Sequence, residues 1–357
     1  MFKNGVESLL CPTVIARTSA CGPGSTYCAG STVLTMSFAR IANVPTLRIG
    51  LGLAAVGRPG YINLGRAADL PADRTVDVMR ERAYDVLDAA YGNGVRYLDA
   101  ARSYGRAEEF LAGWLERRPD AADQVVIGSK WGYTYTADWR ADAEVHEVKD
   151  HSTATYDRQI GETRALLGKR LNLYQIHSLT PESPALTDRA LHDRLADLAA
   201  DGVKIGFSTS GPAQADTIRA ALAITVEGLP LFSSVQSTYN LLETSAGPAL
   251  AEAHEAGCTV IVKEGMANGR LAHAEPGSVL GRVAAETGAT PDAVALAAVL
   301  HQPWADIVLS GAATTAQVTG NLAATTVRLD PDQLGRLAGL AGPAAAYWSN
   351  RAALPWS

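Results

Sequence analysis

Four residues with acid, base or charge chemistry follow predicted β-strands and could share one site. They are Asp99, Tyr104, Lys130 and His177. Each lies at or just past the carboxyl end of one of three successive predicted strands, at 95–99, 125–129 and 171–177, and the segments between them are long enough for crossover helices. In a parallel α/β barrel the carboxyl ends of all strands open onto one face. The sequence therefore predicts that the four side chains meet at one mouth.

Together these side-chain types can make a proton donor, because the neighbours of a tyrosine can shift the pKa of its hydroxyl. A tyrosine hydroxyl titrates at about pH 10, so alone it is a poor acid and a worse base near neutrality. A nearby ammonium stabilises the phenolate, a carboxylate can hold that ammonium in place, and a histidine can hydrogen-bond the substrate oxygen or the tyrosine. Such a donor suits reduction of a carbonyl. A protein has no hydride of its own, so a nicotinamide cofactor is implied.

Singly, each of these residues has an ordinary structural explanation. A lysine after a strand is commonly a solvated surface charge, an aspartate there is often a helix cap, and a histidine at a strand end is often a satisfied core residue. The alignment of all four residues at strand ends favours a functional site.

Residues 46–340 alternate strand and helix patterns, which predicts a single-domain α/β fold of the (β/α)8 TIM barrel type. The predicted strands are 47–53, 95–99, 125–129, 171–177, 203–208, 231–236, 258–263 and 306–310. The amphipathic helical stretches between them include 78–91, 156–167, 189–200 and 246–256. Residues 1–45 are predicted to be a poorly structured leader, and residues 341–357 a C-terminal tail or loop that folds back over the surface.

Composition argues against several classes of function. The formal net charge is −6, and no run of lysines and arginines could follow a phosphate backbone, so a nucleic acid partner is not expected.

No uninterrupted apolar stretch reaches the roughly 18 residues that span a bilayer, and a cytoplasmic enzyme with a small-molecule partner is expected. Cys11, Cys21 and Cys28 lie in the leader without a Cys-x-x-Cys pair or a nearby histidine, so no metal site is expected. The oligomeric state has no signature in the sequence.

The segment from Gly50 to Ala55 follows the dinucleotide fingerprint G-x-G-x-x-A. That fingerprint must open a helix at once, whereas the next residues here are VGRPGYINLGRAADLP, with two prolines and three glycines. The segment is therefore interpreted as a turn at a strand end, and a Rossmann domain is not predicted.

Around the four candidate residues the chain resembles the aldo-keto reductase superfamily, over about 47–340. Residues 99–108 resemble that family's D-T-A-x-x-Y-G-x-x-E signature, with Ala100 in place of threonine. Residues 129–132 resemble its T-K-W-G element, residues 173–178 its fourth-strand segment, and residues 235–242 its V-Q-x-x-Y-N-L-L. The resemblance implies an (α/β)8 barrel that binds a nicotinamide cofactor in an extended pose across the mouth.

The resemblance also assigns roles. It implies that Tyr104 is the general acid/base, that Lys130 and Asp99 depress its pKa, and that His177 orients the carbonyl. The positions that it matches to cofactor contacts are Gly52, Leu53, Ser208, Thr209, Gln236, Lys263, Met266, Gly269, Arg270, Gly311, Gln317 and Asn321.

Several of these cofactor positions depart from the family pattern. Lys263 stands where many members stack an aromatic ring on the nicotinamide, and Thr209 stands where asparagine is usual. Gly311, Ala312 and Gln317 stand where many members present lysine, serine and arginine to the 2′-phosphate. The cofactor is thus expected to be NADP or NAD.

Aromatic residues near the predicted mouth suggest a substrate pocket. The candidates are Tyr61, Trp131, Tyr133 and Trp348. Such a lining suits an apolar or ring-shaped carbonyl compound. His146 and His151, in the long insert after Lys130, are expected to lie on the loop surface rather than to ligate a metal.

The sequence favours an NAD(P)(H)-dependent oxidoreductase that interconverts an aldehyde or ketone and its alcohol. One alternative is a nicotinamide-binding regulatory module of a larger assembly with little turnover, as some members of the same superfamily are. The other is a glycosidase on the same barrel, for which no pair of carboxylates stands at opposed strand ends.

Overall fold

The computed structural model describes residues 48–356, and its central feature is a closed barrel of eight parallel strands. The strands are β1 (Ile49–Gly52), β2 (Tyr97–Asp99), β3 (Val126–Trp131), β4 (Leu171–Leu179), β5 (Lys204–Thr209), β6 (Ser234–Thr238), β7 (Thr259–Lys263) and β8 (Ile307–Ser310). Each strand pairs in parallel with the next along the chain, and β8 closes the ring on β1. The predicted (β/α)8 barrel is confirmed. The predicted leader lies outside the described residues.

Helices connect the strands and continue beyond the barrel. They are α1 (Arg66–Asp69), α2 (Val76–Gly92), α3 (Ala107–Arg117), α4 (Pro119–Ala122), α5 (Thr153–Leu167), α6 (Arg189–Ala200), α7 (Gln214–Leu222), α8 (Gly247–Glu255), α9 (Val279–Thr287), α10 (Pro291–Leu300), α11 (Thr315–Leu322), α12 (Pro331–Ala338) and α13 (Ala344–Ala352). The tail predicted as a loop thus contains a helix, because its Ala-Ala-Ala segment after Pro343 favours one. Among the described helices none alone is long and apolar enough to cross a membrane, although α9 and α10, bent by 90°, reach that length and composition together.

Tyr97 fills the interior of the barrel beneath the mouth. It is fully buried on β2, and two glycines on the flanking strands make room for its ring. A Cβ at Gly50 would lie 2.8 Å from Tyr97 Cδ1, and a Cβ at Gly128 would lie 2.4 Å from its hydroxyl. Side chains at these two positions would displace the ring. The glycines therefore fix the depth at which the Tyr97 hydroxyl sits below the mouth.

Glu108 ties three elements together under the mouth. This buried carboxylate at the start of α3 accepts hydrogen bonds from Ser129 Oγ on β3 at 2.5 Å and from Thr163 Oγ1 on α5 at 2.9 Å. The guanidinium of Arg102, in the loop after β2, forms an ion pair with its other oxygen. A buried charge is tolerated when it is paired and hydrogen-bonded in this way. Glu108 thereby holds β3, which carries Lys130, against α3 and α5.

Replacing Glu108 by alanine should lower the free energy of unfolding by about 3 kcal/mol, because Ser129 and Thr163 lose their acceptor and Arg102 loses its partner. Urea unfolding measures this change. The matched control is Glu109→Ala, since Glu109 is 46% exposed and its pairing with Arg106 lies at the surface; this variant should stay within about 0.5 kcal/mol. Equal losses in the two variants would contradict the role assigned to Glu108.

Candidate active site

The fold brings the four predicted residues together at the carboxyl ends of β2, β3 and β4. Asp99 ends β2, Tyr104 lies in the loop that follows it, Lys130 lies on β3 and His177 on β4. The Lys130 ammonium forms an ion pair with Asp99 Oδ2 and donates hydrogen bonds to Ala100 O at 3.0 Å and to Tyr104 Oη at 3.3 Å. The lysine thus connects the carboxylate to the phenol.

Asp99 is fixed by further donors from the barrel interior. Tyr97 Oη donates to Asp99 Oδ1 at 3.1 Å, and Gln236 Nε2, from β6 across the barrel, donates to the same oxygen at 2.9 Å. Asp99 is 1% exposed and Lys130 is fully buried. A buried ion pair is stable only when its remaining hydrogen-bonding capacity is also met. The two extra donors meet that need and hold the Lys130 ammonium beside Tyr104.

His177 packs against the ring of Tyr104. The two rings meet edge to face with centroids 5.5 Å apart, and the ring of Tyr133 lies 5.0 Å from that of His177. His177 Nδ1 is 3.5 Å from Ser103 Oγ. Burial, followed by the positive charge of Lys130, holds the pKa of His177 well below its usual range. The imidazole is therefore neutral at neutral pH and keeps one N–H to donate.

The pKa of Tyr104 moves opposite to the expectation drawn from the family resemblance. Burial, followed by the negative charge of Asp99, raises the pKa of Tyr104 well above its usual range, and the charge of Arg58 opposes this only in part. The resemblance implied that Lys130 and Asp99 depress this pKa, whereas burial has the largest effect on it and Asp99 adds to the rise. Tyr104 therefore stays protonated at neutral pH, and its hydroxyl can act as a proton donor.

Arg58 is a site residue that the sequence analysis missed. Its side chain is 2% exposed, and Nη1 donates at 2.8 Å both to Ser103 O and to Glu147 Oε2. The guanidinium carbon lies 5.4 Å from the centre of the Tyr104 ring and 4.8 Å from that of Trp356. Arg58 lies in the segment after β1, just as the other site residues lie at or after the ends of their strands. Its position in the sequence could therefore have indicated that it belongs to the site.

Two cavities meet at Tyr104. The first, which we call the glycine-rich cavity, is bordered by the ends of β1, β6, β7 and β8. Its lining includes six residues matched to cofactor contacts, Gly52, Gln236, Lys263, Met266, Gly269 and Gly311, with Tyr61, Asp99 and Tyr104. The second, which we call the charged cavity, is lined by Arg58, Tyr61, Tyr104, Tyr133, Glu147, His177, Ser178, Ser210, Lys263, Glu264, Arg351 and Trp356, among others. Tyr61, Tyr104, Lys263 and Glu264 border both.

The glycine-rich cavity has features that fit a nicotinamide dinucleotide. Gln236 Oε1 and Asn268 Oδ1 are buried acceptors without a hydrogen-bond partner within the described chain, and buried acceptors of this kind are costly unless a ligand donor meets them. Gly269 has φ of +88°, and a Cβ there would lie 2.8 Å from Leu64 O. The loops after β1 and β7 can therefore close against each other only with glycine at this position.

Six residues matched to cofactor contacts do not line the glycine-rich cavity, and most are bonded within the protein. They are Leu53, Ser208, Thr209, Arg270, Gln317 and Asn321. Ser208 Oγ accepts from Ser178 N at 2.8 Å, and Thr209 Oγ1 lies 2.5 Å from Ser237 Oγ. Asn321 Nδ2 donates to Ser310 Oγ at 2.7 Å. Ser208, Thr209 and Asn321 thus hold the ends of β4, β5 and β8 in place.

The four candidate substrate residues divide into two pairs. Tyr61 and Tyr133 line the charged cavity. Trp131 is fully buried and packs against Tyr156 with ring centroids 5.2 Å apart, and Trp348 packs against Tyr347 at 5.7 Å. Neither tryptophan is among the residues that line the two cavities. Successive side chains of a strand point to opposite faces, so Trp131 points away from the barrel interior when Lys130 points into it.

The lining of the charged cavity also differs from the expected aromatic pocket. Besides its aromatic rings it carries two ion pairs, Arg58 with Glu147 at 2.8 Å and Arg351 with Glu264. Burial alone would raise the pKa of Glu264, but the charges of Arg351 and Lys263 outweigh this and lower it to about 2. These charged side chains make the cavity polar.

His146 and His151 were expected on the loop surface, and both are buried. His146 stacks on Trp356 with ring centroids 4.0 Å apart. His151 Nε2 lies 2.8 Å from His177 O, and its Nδ1 lies 2.6 Å from Ser183 Oγ. The antiparallel hairpin of Tyr133–Tyr135 and Glu147–Lys149 folds the insert over the mouth. This folding places both histidines inside.

Comparison with known proteins agrees with this fold. Residues 48–341 match the Aldo/keto reductase family, and the chain belongs to that family. The aldo-keto reductase str7 of Strobilurus tenacellus is 24% identical over 335 residues, covering 84% of this chain and 92% of that protein.

Solved structures share the fold at lower identity. The glycerol dehydrogenase AKR11B4 from Gluconobacter oxydans has a TM-score of 0.63 at 18% identity, covering 82% of this chain and 90% of that one. A putative aldo-keto reductase from Pseudomonas aeruginosa has a TM-score of 0.55 at 22% identity, covering 78% and 89%. Membership of the family implies oxidoreduction of small carbonyl compounds with a nicotinamide cofactor.

The buried His151 makes stability depend on pH. Burial lowers its pKa to about 4 from 6.5, so below about pH 6.5 the unfolded chain binds a proton that the folded chain does not, and stability is lost as the pH falls. Between about pH 7 and pH 5 the contribution of His151 amounts to about 2 kcal/mol. Urea unfolding at both pH values measures this. Between pH 7 and pH 5, His151→Gln should lose about 2 kcal/mol less of its unfolding free energy than the parent protein does. The control is His301→Gln, at an exposed position, which should lose as much unfolding free energy between the two pH values as the parent protein. An undiminished loss in His151→Gln would contradict the role given to His151.

Proposed function

We propose that the protein is an NAD(P)(H)-dependent oxidoreductase that interconverts an aldehyde or ketone and its alcohol, with Tyr104 as the general acid/base. One observation carries the proposal. The Tyr104 hydroxyl lies 3.3 Å from the Lys130 ammonium, and its ring borders both cavities. A proton donor at the junction of two cavities suits a reaction between a cofactor in one and a substrate in the other.

The glycine-rich cavity is the proposed cofactor site. Gln236 and Asn268 would offer their unpartnered oxygens to donors of the cofactor, and Gly52, Gly269 and Gly311 would let backbone approach it closely. When bound, the nicotinamide supplies or accepts the hydride. The remaining chemistry is proton transfer, which the side chains of this chain would perform.

In the direction of reduction, Tyr104 Oη would give its proton to the carbonyl oxygen. The negative charge left on the phenolate would be met by Lys130 at 3.3 Å and by Arg58 beside the ring. Asp99 would keep the ammonium in place throughout. Neutral His177 would donate its N–H to the substrate oxygen and so orient it. Oxidation of an alcohol would use the same groups in reverse.

Tyr104→Phe removes only the hydroxyl. Cofactor affinity should therefore survive, while kcat for carbonyl reduction should fall by about two to four orders of magnitude, the usual contribution of a positioned acid. The absorbance of the reduced nicotinamide reports turnover, and fluorescence titration reports cofactor binding. Tyr133→Phe, which removes a hydroxyl from a ring that contacts His177, is the control and should lose less than about tenfold. Turnover of Tyr104→Phe within about threefold of the parent would refute the proposed acid, and cofactor binding without turnover of any carbonyl would favour the regulatory alternative.

The cofactor choice is also a proposal. A 2′-phosphate is normally met by lysine or arginine, and the sequence has neither between Arg282 and Arg328. Gln317, which the family resemblance assigns to this phosphate, donates instead to Asp69 Oδ2 at 2.8 Å and accepts from Ala313 N. A carboxylate beside this position would repel a phosphate. We therefore propose that NADH is a usable cofactor.

Titration of the protein with NADH and NADPH should give dissociation constants within about tenfold of each other. Asp69→Asn should shift the ratio toward NADPH because it removes a negative charge, whereas Asp85→Asn, on the exposed face of α2, should leave the ratio unchanged. An affinity for NADPH more than about a hundredfold tighter, about 2.7 kcal/mol, would require a cation at the 2′-position and would contradict the proposal.

A further inference from the structure

The charged cavity carries more positive than negative charge. Its lining includes three cations, Arg58, Lys263 and Arg351, and two carboxylates, Glu147 and Glu264. His177 is neutral, because its pKa lies well below its usual range through burial and the charge of Lys130. Asp99 and Lys130 cancel each other. One positive charge on this lining is therefore left without a matching carboxylate.

The pairing of the carboxylates shows which cation is in excess. Glu147 pairs with Arg58 at 2.8 Å. Glu264 receives two nitrogens of Arg351, with Nε 2.8 Å from Oε1 and Nη2 2.5 Å from the same oxygen. The Lys263 ammonium is 4.0 Å from Glu264 and donates a hydrogen bond to Thr238 Oγ1 at 2.8 Å. An ammonium has three N–H donors, so Lys263 retains capacity for a ligand.

Lys263 also borders the same cavities as Tyr104, the proposed acid. It lies at the end of β7, and it lines the cavity together with Tyr104 and His177. The cavity lining also offers hydroxyl groups, from Tyr61, Tyr133, Ser178 and Ser210. A ligand with its own hydroxyls would replace water at these positions without loss of hydrogen bonds. Apolar ligands would leave the charges of Arg351 and Glu264 without water.

We propose that the substrate is a hydroxylated aldehyde or ketone that carries one carboxylate, and that Lys263 pairs with that carboxylate. This inference rests on the proposed function. One excess positive charge matches a monoanion, and a charge-assisted contact to a largely buried ammonium is among the stronger polar interactions. Lys263 is then a determinant of substrate specificity, separate from the acid Tyr104.

The ionisation of Lys263 gives the pairing a pH dependence. Burial lowers its pKa to about 8, opposed in part by the charge of Glu264. The other charged groups that act on it are Arg351, Lys130 and Asp99, and His177 in the same cavity is neutral. Below about pH 8 the ammonium is charged and attracts an anion, and above it the attraction is lost. The preference for an anion should therefore decline as the pH rises through about 8.

The test compares uronates with their parent aldoses, glucuronate with glucose and galacturonate with galactose, in nicotinamide-dependent assays of the full chain. At about pH 7 the parent protein should have a kcat/KM at least about tenfold higher for the uronate in at least one pair. Lys263→Gln should bring the ratio of the two kcat/KM values, uronate over aldose, close to one. Lys263→Arg should retain the preference for the uronate. Lys169→Gln, at an exposed position, is the control and should leave the ratio unchanged. The ratio in the parent protein should also fall between about pH 7 and pH 9.

Several outcomes would overturn the inference. If both members of each pair are turned over equally by the parent protein, the anion preference is wrong while the proposed function stands. If Lys263→Gln lowers kcat/KM for the uronate and for the aldose by the same factor and also weakens NADH binding, the lysine serves the cofactor instead. If no carbonyl is turned over, calorimetry tests the anion site independently of turnover, by comparing the binding of gluconate with that of uncharged sorbitol. Tighter binding of gluconate, by about tenfold and dependent on Lys263, would support the anion site although the proposed reaction had failed, and equal binding would overturn it.

Discussion

The buried ion pair of Lys130 and Asp99 is the interaction on which the site depends. Removing two charges from water costs several kcal/mol for each, so the pair persists only because other donors complete it. Tyr97 and Gln236 both donate to Asp99, and Tyr97 reaches it only because Gly50 and Gly128 leave space for its ring. The core packing of the barrel therefore determines where the ammonium lies, 3.3 Å from the Tyr104 hydroxyl.

Much of the fold and the position of the site could be predicted from the sequence. Alternating strand and helix patterns over eight units favour a closed parallel barrel, and residues at strand ends then share one mouth. This pattern predicts that Asp99, Tyr104, Lys130 and His177 meet. The direction of the Tyr104 pKa could not be predicted, because it depends mainly on how deeply the folded chain buries the ring and then on the charge of Asp99. The placement of Trp131 was missed for a simpler reason, since it follows Lys130 directly and adjacent strand residues point to opposite faces.

The charged cavity could not be predicted because its pairs join distant parts of the chain. Arg351 in α13 reaches Glu264 after β7, and Arg58 after β1 reaches Glu147 in the hairpin. No pattern within a short window indicates either contact. An aromatic pocket was the natural prediction from local sequence, whereas the assembled lining is rich in charge. The chemistry of the mouth thus comes from long-range pairing around a barrel that local patterns specify.

We propose that the Lys130–Asp99 pair serves the chemistry rather than the fold alone. The double variant Asp99→Asn with Lys130→Met removes both charges together and so avoids leaving one buried and unpaired. The decisive measurement is the rate at which bound reduced nicotinamide loses its absorbance in a single turnover with an accepted aldehyde. The double variant should keep a cofactor affinity within about threefold of the parent and should react at least about a hundredfold more slowly, equivalent to about 2.7 kcal/mol of transition-state stabilisation. A folded double variant that reacts at the parent rate would contradict it.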